Sequence, residues 1–471
     1  MSLNSSPRAI RGILASLSLS MLLSSLGISI ANVGLPALAQ AFNASFQAVQ
    51  WVILSYLLAV TTAVIGAGYL GDRINRRRLL LGGIALFTFA SLLCAVAPAL
   101  WLLLAARMMQ GMGAAVMMSI TMALAGETLG AGKIGRAMGL LGTMSAVGTA
   151  LGPSLGGALI FAAGWRAMFL INLPLGMAAL LLAWRFLPDQ RREAVAGSFD
   201  RAGTLLLGFC LLCYALAMTL GRGHFSALNL ALLLAAALAG ALFFGVERRA
   251  PYPLIRPAML RHPALTAGLA SSALVMTVMT TTLVVGPFYL SRGLGLSAVQ
   301  VGLVMASGPA VAILTGVPAG YLVDRWGAPR ITALGLTALT CGIGMLSMTL
   351  ARQGMWGYIA PLCLLTTGYA LFQVANNTAL MKDLFPQQRG AIAGMLNLAR
   401  NLGGITGASA MGALFALACG NGDLAAADTA AVSAGMRVTY ATAALLALAA
   451  LGIALGGQAL MARYSAAKSP R

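Results

Sequence analysis

Uninterrupted apolar runs recur along the chain from Ile13 to Leu460. Each run is roughly 20 residues long, enough for a helix to cross about 30 Å of hydrocarbon. Of the 471 residues, 60% are hydrophobic and 8% are charged, whereas soluble globular chains carry about 25% charged residues. A soluble core could not hide so much apolar surface. The sequence therefore predicts an all-α polytopic membrane protein.

The hydropathy pattern predicts fourteen transmembrane helices. They are placed at about 13–36, 48–70, 79–97, 101–125, 136–161, 167–187, 202–221, 227–246, 264–290, 299–322, 330–350, 355–380, 389–418 and 437–462. The first run is too long for the apolar core of a signal peptide, which has about 7–15 residues, and we expect it to be retained. An even number of spans places both termini on the same side.

The net charge of +20 is distributed between the apolar runs. Placing both termini in the cytoplasm puts most Lys and Arg in cytoplasmic loops, as the positive-inside rule requires. The run Arg76, Arg77 and Arg78 between spans two and three is an example. Because the basic residues form neither a tail nor a polar helix face, we expect no nucleic-acid partner.

An internal repeat relates two parts of the sequence. GYLGDRINRRR at 68–78 follows the second predicted span, and GYLVDRWGAPR at 320–330 follows the tenth. The two copies match if spans seven and eight are an insert between two six-helix bundles. We predict a first bundle at 1–187, a two-helix insert with flanking cytoplasmic loops at 188–263, and a second bundle at 264–471. In such parallel repeats the substrate site forms between the halves near the bilayer midplane.

The first repeat copy carries a family resemblance. Its residues Gly68, Leu70, Asp72, Arg73, Arg76 and Arg77 fit the pattern G-x-L-a-D-r-x-G-r-r of the major facilitator superfamily. Over nearly its whole length the chain resembles the fourteen-span branch that includes bacterial drug:proton antiporters. Asn75 stands where the pattern has glycine, and we expect a left-handed backbone there, which Asn tolerates best among non-glycine residues.

This loop is interpreted as a conformational latch. Asp72, at the cytoplasmic end of a helix, can accept hydrogen bonds from a neighbouring helix N-terminus or from arginines. The alternative is a solvated loop that only keeps positive charge in the cytoplasm. The predicted latch residues are Gly68, Asp72, Arg73, Arg76 and Arg77, with Asp324 and Arg325 in the degenerate second copy.

A glycine motif lies in the fifth predicted span. GTALGPSLGG at 148–157 fits the pattern G-x-x-x-G-P-x-x-G-G, which the resemblance associates with exporters. Gly148, Gly152 and Gly156 form one helix face that allows close backbone approach, Pro153 bends the helix, and Gly157 completes the pattern. The alternative is ordinary helix packing. RMMQGMGAA from Arg107, GWRAMFLINLPLG from Gly164, SIANVGLP from Ser29 and the segment from Asn376 through Arg389 to Gly404 also resemble the family.

The charges inside the predicted spans bear on the substrate. No acidic residue lies mid-span, and Gly27 occupies the position where cation exporters of this branch carry an aspartate. Arg107 and Arg400 do lie within spans, where an arginine is a functional candidate. The alternative is that the side chain snorkels, to the outer interface for Arg107 and less readily for Arg400, which lies near the middle of its span. The candidate substrate-binding residues are Asn32, Arg107, Gln110, Gln373, Asn376, Asn377, Asn397 and Arg400. Some of these polar residues will instead tie helices together.

The resemblance implies a secondary active transporter of the bacterial inner membrane, driven by protons and exporting small molecules. Uptake or export of one neutral or anionic metabolite is the alternative, and a channel or receptor is less favoured. Asp72 and Glu127 are the candidate proton-coupling residues, unless the substrate itself titrates. We expect a monomer in the lipid bilayer, no enzymatic activity, no cofactor and no metal.

Overall fold

The computed structural model describes residues 7–44, 46–128, 134–188, 200–219, 226–250, 253, 259–296, 298–349, 353–382, 389–419 and 429–468. The regular elements of these residues are helices. The first six are α1 (Pro7–Ala41), α2 (Phe46–Arg73), α3 (Arg76–Val96), α4 (Leu100–Thr128), α5 (Ile134–Ala163) and α6 (Asn172–Phe186). A short helix, Ala167–Leu170, precedes α6.

Eight more helices follow. They are α7 (Arg201–Thr219), α8 (Ala227–Arg249), α9 (Pro263–Phe288), α10 (Ala298–Trp326), α11 (Ala328–Ser347), α12 (Gly354–Lys382), α13 (Arg389–Thr406) and α14 (Thr429–Lys468). A 3₁₀ turn, Met259–Arg261, precedes α9, and a π-helical turn, Tyr289–Gly293, ends it. Helix α13 continues through a π-helical turn, Gly407–Met411, into Gly412–Ala418.

Twelve helices of the described chain are long and apolar enough to cross a membrane. The other two predicted spans also fall on helices. Span seven corresponds to α7, whose apolar part, Ala202–Met218, is shorter, and span five corresponds to α5. The many-span helical architecture is confirmed, and the count of fourteen spans stays a prediction.

The chain forms two compact units. The first contains Met1–Leu211, Arg249–Ile255 and Met381–Leu398, and the second contains Leu212–Arg248, Arg256–Leu380 and Ala399–Arg471. The first part of α13, up to Leu398, thus belongs to the first unit by its contacts, and the rest of α13 to the second. The division of the sequence into two bundles and a two-helix insert, with boundaries at 187 and 263, stays a prediction.

In the first unit, α1 packs along α5, and α4 lies against both α2 and α3. Helix α6 contacts α1 and α3. An apolar cluster joins these helices around buried Leu26, Ile30, Val52, Met168 and Phe169. Because lipid tails are as apolar as these side chains, the cluster stabilises the bundle by close van der Waals packing between helices.

In the second unit, α14 packs on α9 and α11. Its core contains three buried tyrosines, Tyr289, Tyr358 and Tyr440. The rings of Tyr289 and Tyr358 stack at 6.1 Å between centroids, and the hydroxyls of Tyr358 and Tyr440 are hydrogen-bonded at 3.0 Å. The hydrogen bond lets two phenols be buried among apolar side chains.

The turn between α2 and α3 corrects one expectation. Asn75 has φ −61° and ψ 112°, so its backbone is extended and not left-handed. Its Oδ1 accepts hydrogen bonds from the backbone N–H groups of Arg77 at 2.9 Å and Arg78 at 3.3 Å. Asn75 therefore caps the N-terminus of α3, which a glycine could not do with a side chain. Gly327, at the matching position of the second copy, does have a positive φ of 85°.

Candidate functional site

Asp72, at the end of α2, contacts both kinds of partner that the latch hypothesis names. Its side chain is 11% exposed, and Oδ1 accepts a hydrogen bond from Nη2 of Arg76 at 2.5 Å. Oδ2 accepts a hydrogen bond from the backbone N–H of Ala391 at 3.0 Å. Ala391 lies in the first turn of α13, where N–H groups have no intrahelical acceptor and the helix dipole favours a carboxylate.

The arginines beside Asp72 are held by protein groups. Arg76 is 4% exposed, and its Nε donates to the carbonyl oxygen of Gly71 at 2.9 Å. Arg77 donates to the carbonyl oxygen of Trp184 in α6, and the guanidinium of Arg73 lies 4.5 Å from the ring centroid of Tyr69. A merely solvated loop does not account for this burial.

The first part of α13 has two further contacts with α4. Nη1 of Arg389 donates to the carbonyl oxygen of Gly126 at 2.9 Å. Nδ2 of Asn397 lies 3.8 Å from Sδ of Met122 and donates to the carbonyl oxygen of Ala393 at 2.9 Å. Asn397, predicted to bind substrate, is thus buried in the first unit beside the latch.

Other latch residues are placed as follows. Gly68 is buried in the last turns of α2. In the second copy, Asp324 is half-buried near the end of α10, and Arg325 beside it is exposed. The side chain of Glu127, the second candidate for proton coupling, lies outside the described residues.

The glycine motif of α5 packs directly on α1. A Cβ on Gly148 would lie 2.5 Å from the carbonyl oxygen of Leu22, and one on Gly152 would lie 2.0 Å from Oγ of Ser29. Oγ of Ser29 donates to the carbonyl oxygen of Gly148 at 3.0 Å. A Cβ on Gly156 would lie 3.0 Å from Cγ1 of Ile30. Close backbone approach therefore needs the absence of side chains here.

The last two residues of this motif differ. A Cβ on Gly157 would meet nothing within 4 Å, so Gly157 does not take part in the contact with α1. The backbone at Pro153 is helical, and its side chain lies outside the described residues.

Sequence reasoning missed a matching contact in the second unit. A Cβ on Gly403 of α13 would lie 2.1 Å from the carbonyl oxygen of Ala273 in α9, and one on Gly407 would lie 2.6 Å from that of Thr277. Oγ1 of Thr277 donates to the carbonyl oxygen of Gly403 at 3.0 Å, as Ser29 does to Gly148. The signal was available, since Gly403, Gly407 and Gly412 repeat the spacing of Gly148, Gly152 and Gly157. Ala408 replaces the proline, and a π-helical turn runs through it.

Arg107 is wholly buried in the first unit, at 0% exposure. Its Nε donates to the carbonyl oxygen of Val52 at 2.9 Å, and Nη1 donates to that of Gly27 at 3.1 Å. The guanidinium lies 4.3 Å from the ring centroid of Tyr56. The snorkelling alternative is therefore wrong, because the charge is held by helix carbonyls and an aromatic ring inside the bundle.

Gln110 extends the same network. Its Oε1 accepts a hydrogen bond from Nη1 of Arg107 at 2.5 Å, and its Nε2 donates to Oγ of Ser91 at 2.7 Å. The network links α4 to α1, α2 and α3. Arg107 and Gln110, both predicted to bind substrate, are thus hydrogen-bonded to other groups of the protein in the described conformation.

Three other candidates come together in the second unit. Nη2 of Arg400 donates to Oδ1 of Asn377 at 2.5 Å, and Nε2 of Gln373 donates to the hydroxyl of Tyr369 at 3.0 Å. Tyr369, Gln373 and Asn377 lie four residues apart on one face of α12. Arg400, Gln373 and Tyr369 are half-buried, so this polar cluster is partly open. The sequence reasoning missed Tyr369, which a search for polar residues at helical spacing would have found.

Asn376, next to this cluster, has a different role. Its Nδ2 donates to the carbonyl oxygen of Gly268 at 3.1 Å and to Oγ of Ser272 at 2.9 Å. It thus ties α12 to α9, which is the ordinary use of a polar residue in a membrane helix. The side chain of Asn32 lies outside the described residues.

Comparison with known proteins identifies the family. The riboflavin transporter RibZ of Clostridioides difficile is 30% identical over 84% of this chain and 86% of its own. The tetracenomycin C resistance and export protein of Streptomyces glaucescens is 31% identical over 84% of this chain and 73% of its own. The human organic anion transporter MFSD10 has the same fold, with a TM-score of 0.65 and 16% identity over 96% of this chain and 100% of its own. The family model of the Major Facilitator Superfamily matches residues 17–408. The chain is a many-span membrane transporter, not an enzyme, and belongs to the Major Facilitator Superfamily.

Proposed function

We propose that this transporter exports small molecules across the bacterial inner membrane by alternating access, driven by the proton gradient. It acts as a monomer, with both termini in the cytoplasm. The observation that carries the proposal is the glycine face of α5 on α1, because the matching sequence pattern is associated with exporters. The name of the Streptomyces relative, a resistance and export protein, agrees with this direction of transport.

The contacts of Asp72 suggest how the cycle is gated. The carboxylate is bonded to Arg76 and to the N-terminus of α13. Both bonds need acceptor lone pairs, and both are strengthened by the negative charge. Protonation of Asp72 would weaken them and release the start of α13 from α2. Asp72 is therefore proposed as both latch and proton-coupling residue, with Glu127 as the other candidate for the proton.

The substrate class follows from the charges near the polar cluster of α12 and α13. Arg400 brings a positive charge, and no carboxylate of the described residues lies mid-span. At an effective dielectric constant of about 20, the Coulomb energy between two charges at contact distance is still several kcal/mol. Anionic, zwitterionic or neutral polar molecules should therefore be preferred over permanent cations. Gln373, Asn377 and Arg400 are the proposed binding residues, together with Tyr369.

A second candidate function is transport of one defined metabolite, including uptake. The polar cluster supports it, because a few fixed hydrogen-bonding groups favour a specific ligand. The name of the Clostridioides relative, a riboflavin transporter, also agrees with it.

Proteoliposomes with an imposed pH gradient test the proposal. The purified protein would be given a panel of neutral, anionic and cationic compounds, with the gradient in either direction or absent. We expect saturable flux against the direction of proton flow, which stops when an ionophore collapses the gradient. Linear, non-saturating flux would favour a channel, and flux along the direction of proton flow would favour uptake.

A further inference from the structure

An apolar groove lies on the surface of the first unit. It runs between α3 and α4 and has a volume of about 340 Å³. Its lining is formed by Ile74, Leu79, Gly82, Gly83, Leu86 and Val116, and Arg78 is the charged residue of the groove. Neither the transport cycle nor the polar cluster of the second unit uses it.

The groove exists because two helices meet at glycines. A Cβ on Gly83 would lie 2.6 Å from Cγ1 of Val116, and a Cβ on Gly113 would lie 2.7 Å from the backbone nitrogen of Phe87. The backbones of α3 and α4 are therefore close together at the floor. A Cβ on Gly82 would meet nothing within 4 Å. The missing side chain at Gly82 leaves the groove open to its surroundings.

The exposed face of α3 beside the groove is apolar, as expected of a helix surface that faces lipid. The same face of α3 continues with Phe89, Leu92 and Val96, which are 54%, 38% and 59% exposed. Large apolar side chains exposed together on a membrane helix contact acyl chains. Trp184, whose carbonyl accepts the hydrogen bond of Arg77, is 63% exposed. Exposed tryptophans at helix ends mark the headgroup level, so Arg78 lies at that level.

The dimensions and charge fit one kind of occupant. From Arg78 to Leu86 the helix rises about 12 Å, close to the roughly 15 Å of hydrocarbon in one leaflet. Arg78 is exposed, and a basic side chain at the cytoplasmic headgroup level attracts anionic lipids. We propose that this groove binds an anionic phospholipid, with one acyl chain along Gly82 and Leu86 and the phosphate on Arg78.

The second copy of the repeat provides an internal comparison. Arg330 is exposed at the position that matches Arg78. Helices α11 and α12 also meet closely, since a Cβ on Gly335 would lie 2.6 Å from the backbone nitrogen of Phe372. However, Leu334, 48% exposed, stands where the first copy has Gly82. The side chain that would fill the groove is thus present in one copy and absent in the other.

Lipid binding by the purified protein tests this proposal. Detergent-solubilised protein would be mixed with phosphatidylglycerol or phosphatidylcholine, and the bound lipid would be counted by native mass spectrometry. We expect one saturable phosphatidylglycerol site. Arg78→Gln should weaken phosphatidylglycerol binding about fivefold and leave phosphatidylcholine unchanged. Arg330→Gln is the matched control and should change neither.

A second variant separates the groove from the charge. Gly82→Leu places a side chain in open space, as Leu334 does in the second copy, and should abolish saturable binding of phosphatidylglycerol. Its thermal stability and elution volume should equal those of the wild type. Unchanged phosphatidylglycerol binding in Gly82→Leu, or equal losses in Arg78→Gln and Arg330→Gln, would overturn the proposal. Displacement of phosphatidylglycerol by free inorganic phosphate would show an anion site without a lipid groove, and would also overturn it. Because no arm measures transport, failure here would leave the proposed function untouched.

Discussion

Replacing Asp72 by Asn tests the latch with little change of shape. Asn keeps one acceptor oxygen but loses the charge and the second acceptor. The wild-type carboxylate accepts one bond from Arg76 and one from the N–H of Ala391, and its 11% exposure leaves little solvent to replace them. Hydrogen bonds to charged groups contribute about 1.5–3 kcal/mol each.

The magnitude follows from losing the charge-assisted bond to Ala391. A loss of about 1.5–3 kcal/mol shifts the equilibrium between bound and released α13 by about 10-fold to 100-fold. We therefore expect Asp72→Asn to be inserted and abundant, and to transport at about a tenth to about a hundredth of the wild-type rate. Removing one partner of a switch changes a population and not the fold.

Two assays measure this. Transport in proteoliposomes gives the rate, and hydrogen–deuterium exchange of the segment 389–398 reports the N–H of Ala391 directly. That segment should exchange about 10-fold to 100-fold faster in the variant. Wild-type transport together with wild-type exchange would refute the latch. Slow transport with unchanged exchange would refute the hydrogen bond to α13 as its cause.

Two predictions concern the glycine contacts. Gly152→Leu should abolish transport, because its Cβ would lie 2.0 Å from Oγ of Ser29. Gly157→Leu is the control and should retain transport, since a Cβ there meets nothing within 4 Å. Equal transport by both variants would contradict the packing of α5 on α1. Gly407→Leu should also stop transport, since its Cβ would lie 2.6 Å from the backbone oxygen of Thr277. Gly404 is the matched control position, because a Cβ there has no neighbour closer than 3.7 Å. Retained transport in Gly407→Leu would remove the functional role that we give to the contact in the second unit.

Much of the helical fold could be predicted from the sequence, because each apolar run of this length must become a buried or lipid-facing helix. Loop conformation was harder. At Asn75 a backbone preference and a side-chain cap competed, and the cap prevailed because it satisfies two N–H groups of α3. A propensity for left-handed backbone does not contain that information.

Parts of the candidate site could be predicted and others could not. The partners of Asp72 followed from its place at a helix end, since few groups other than arginines and helix N-termini satisfy a carboxylate there. The burial of Arg107 did not follow, because depth along a span does not tell which face of the helix carries a side chain. For the same reason, the sequence did not show that Asn376 bonds to α9 whereas its neighbour Asn377 bonds to Arg400. The contact of Gly403 and Gly407 did not follow either, because their segment has Ala408 where the motif of α5 has a proline.

The substrate preference is the central claim most open to direct measurement. Wild type, Arg400→Ala and the control Arg166→Ala, which changes an exposed arginine of the first unit, would be compared in proteoliposomes with anionic, neutral polar and dicationic compounds. We predict that wild type and Arg166→Ala transport anionic or neutral compounds and not permanent dications, and that Arg400→Ala loses anion transport most. Strong transport of permanent dications by the wild type, unchanged in Arg400→Ala, would contradict both the charge argument and the role of Arg400.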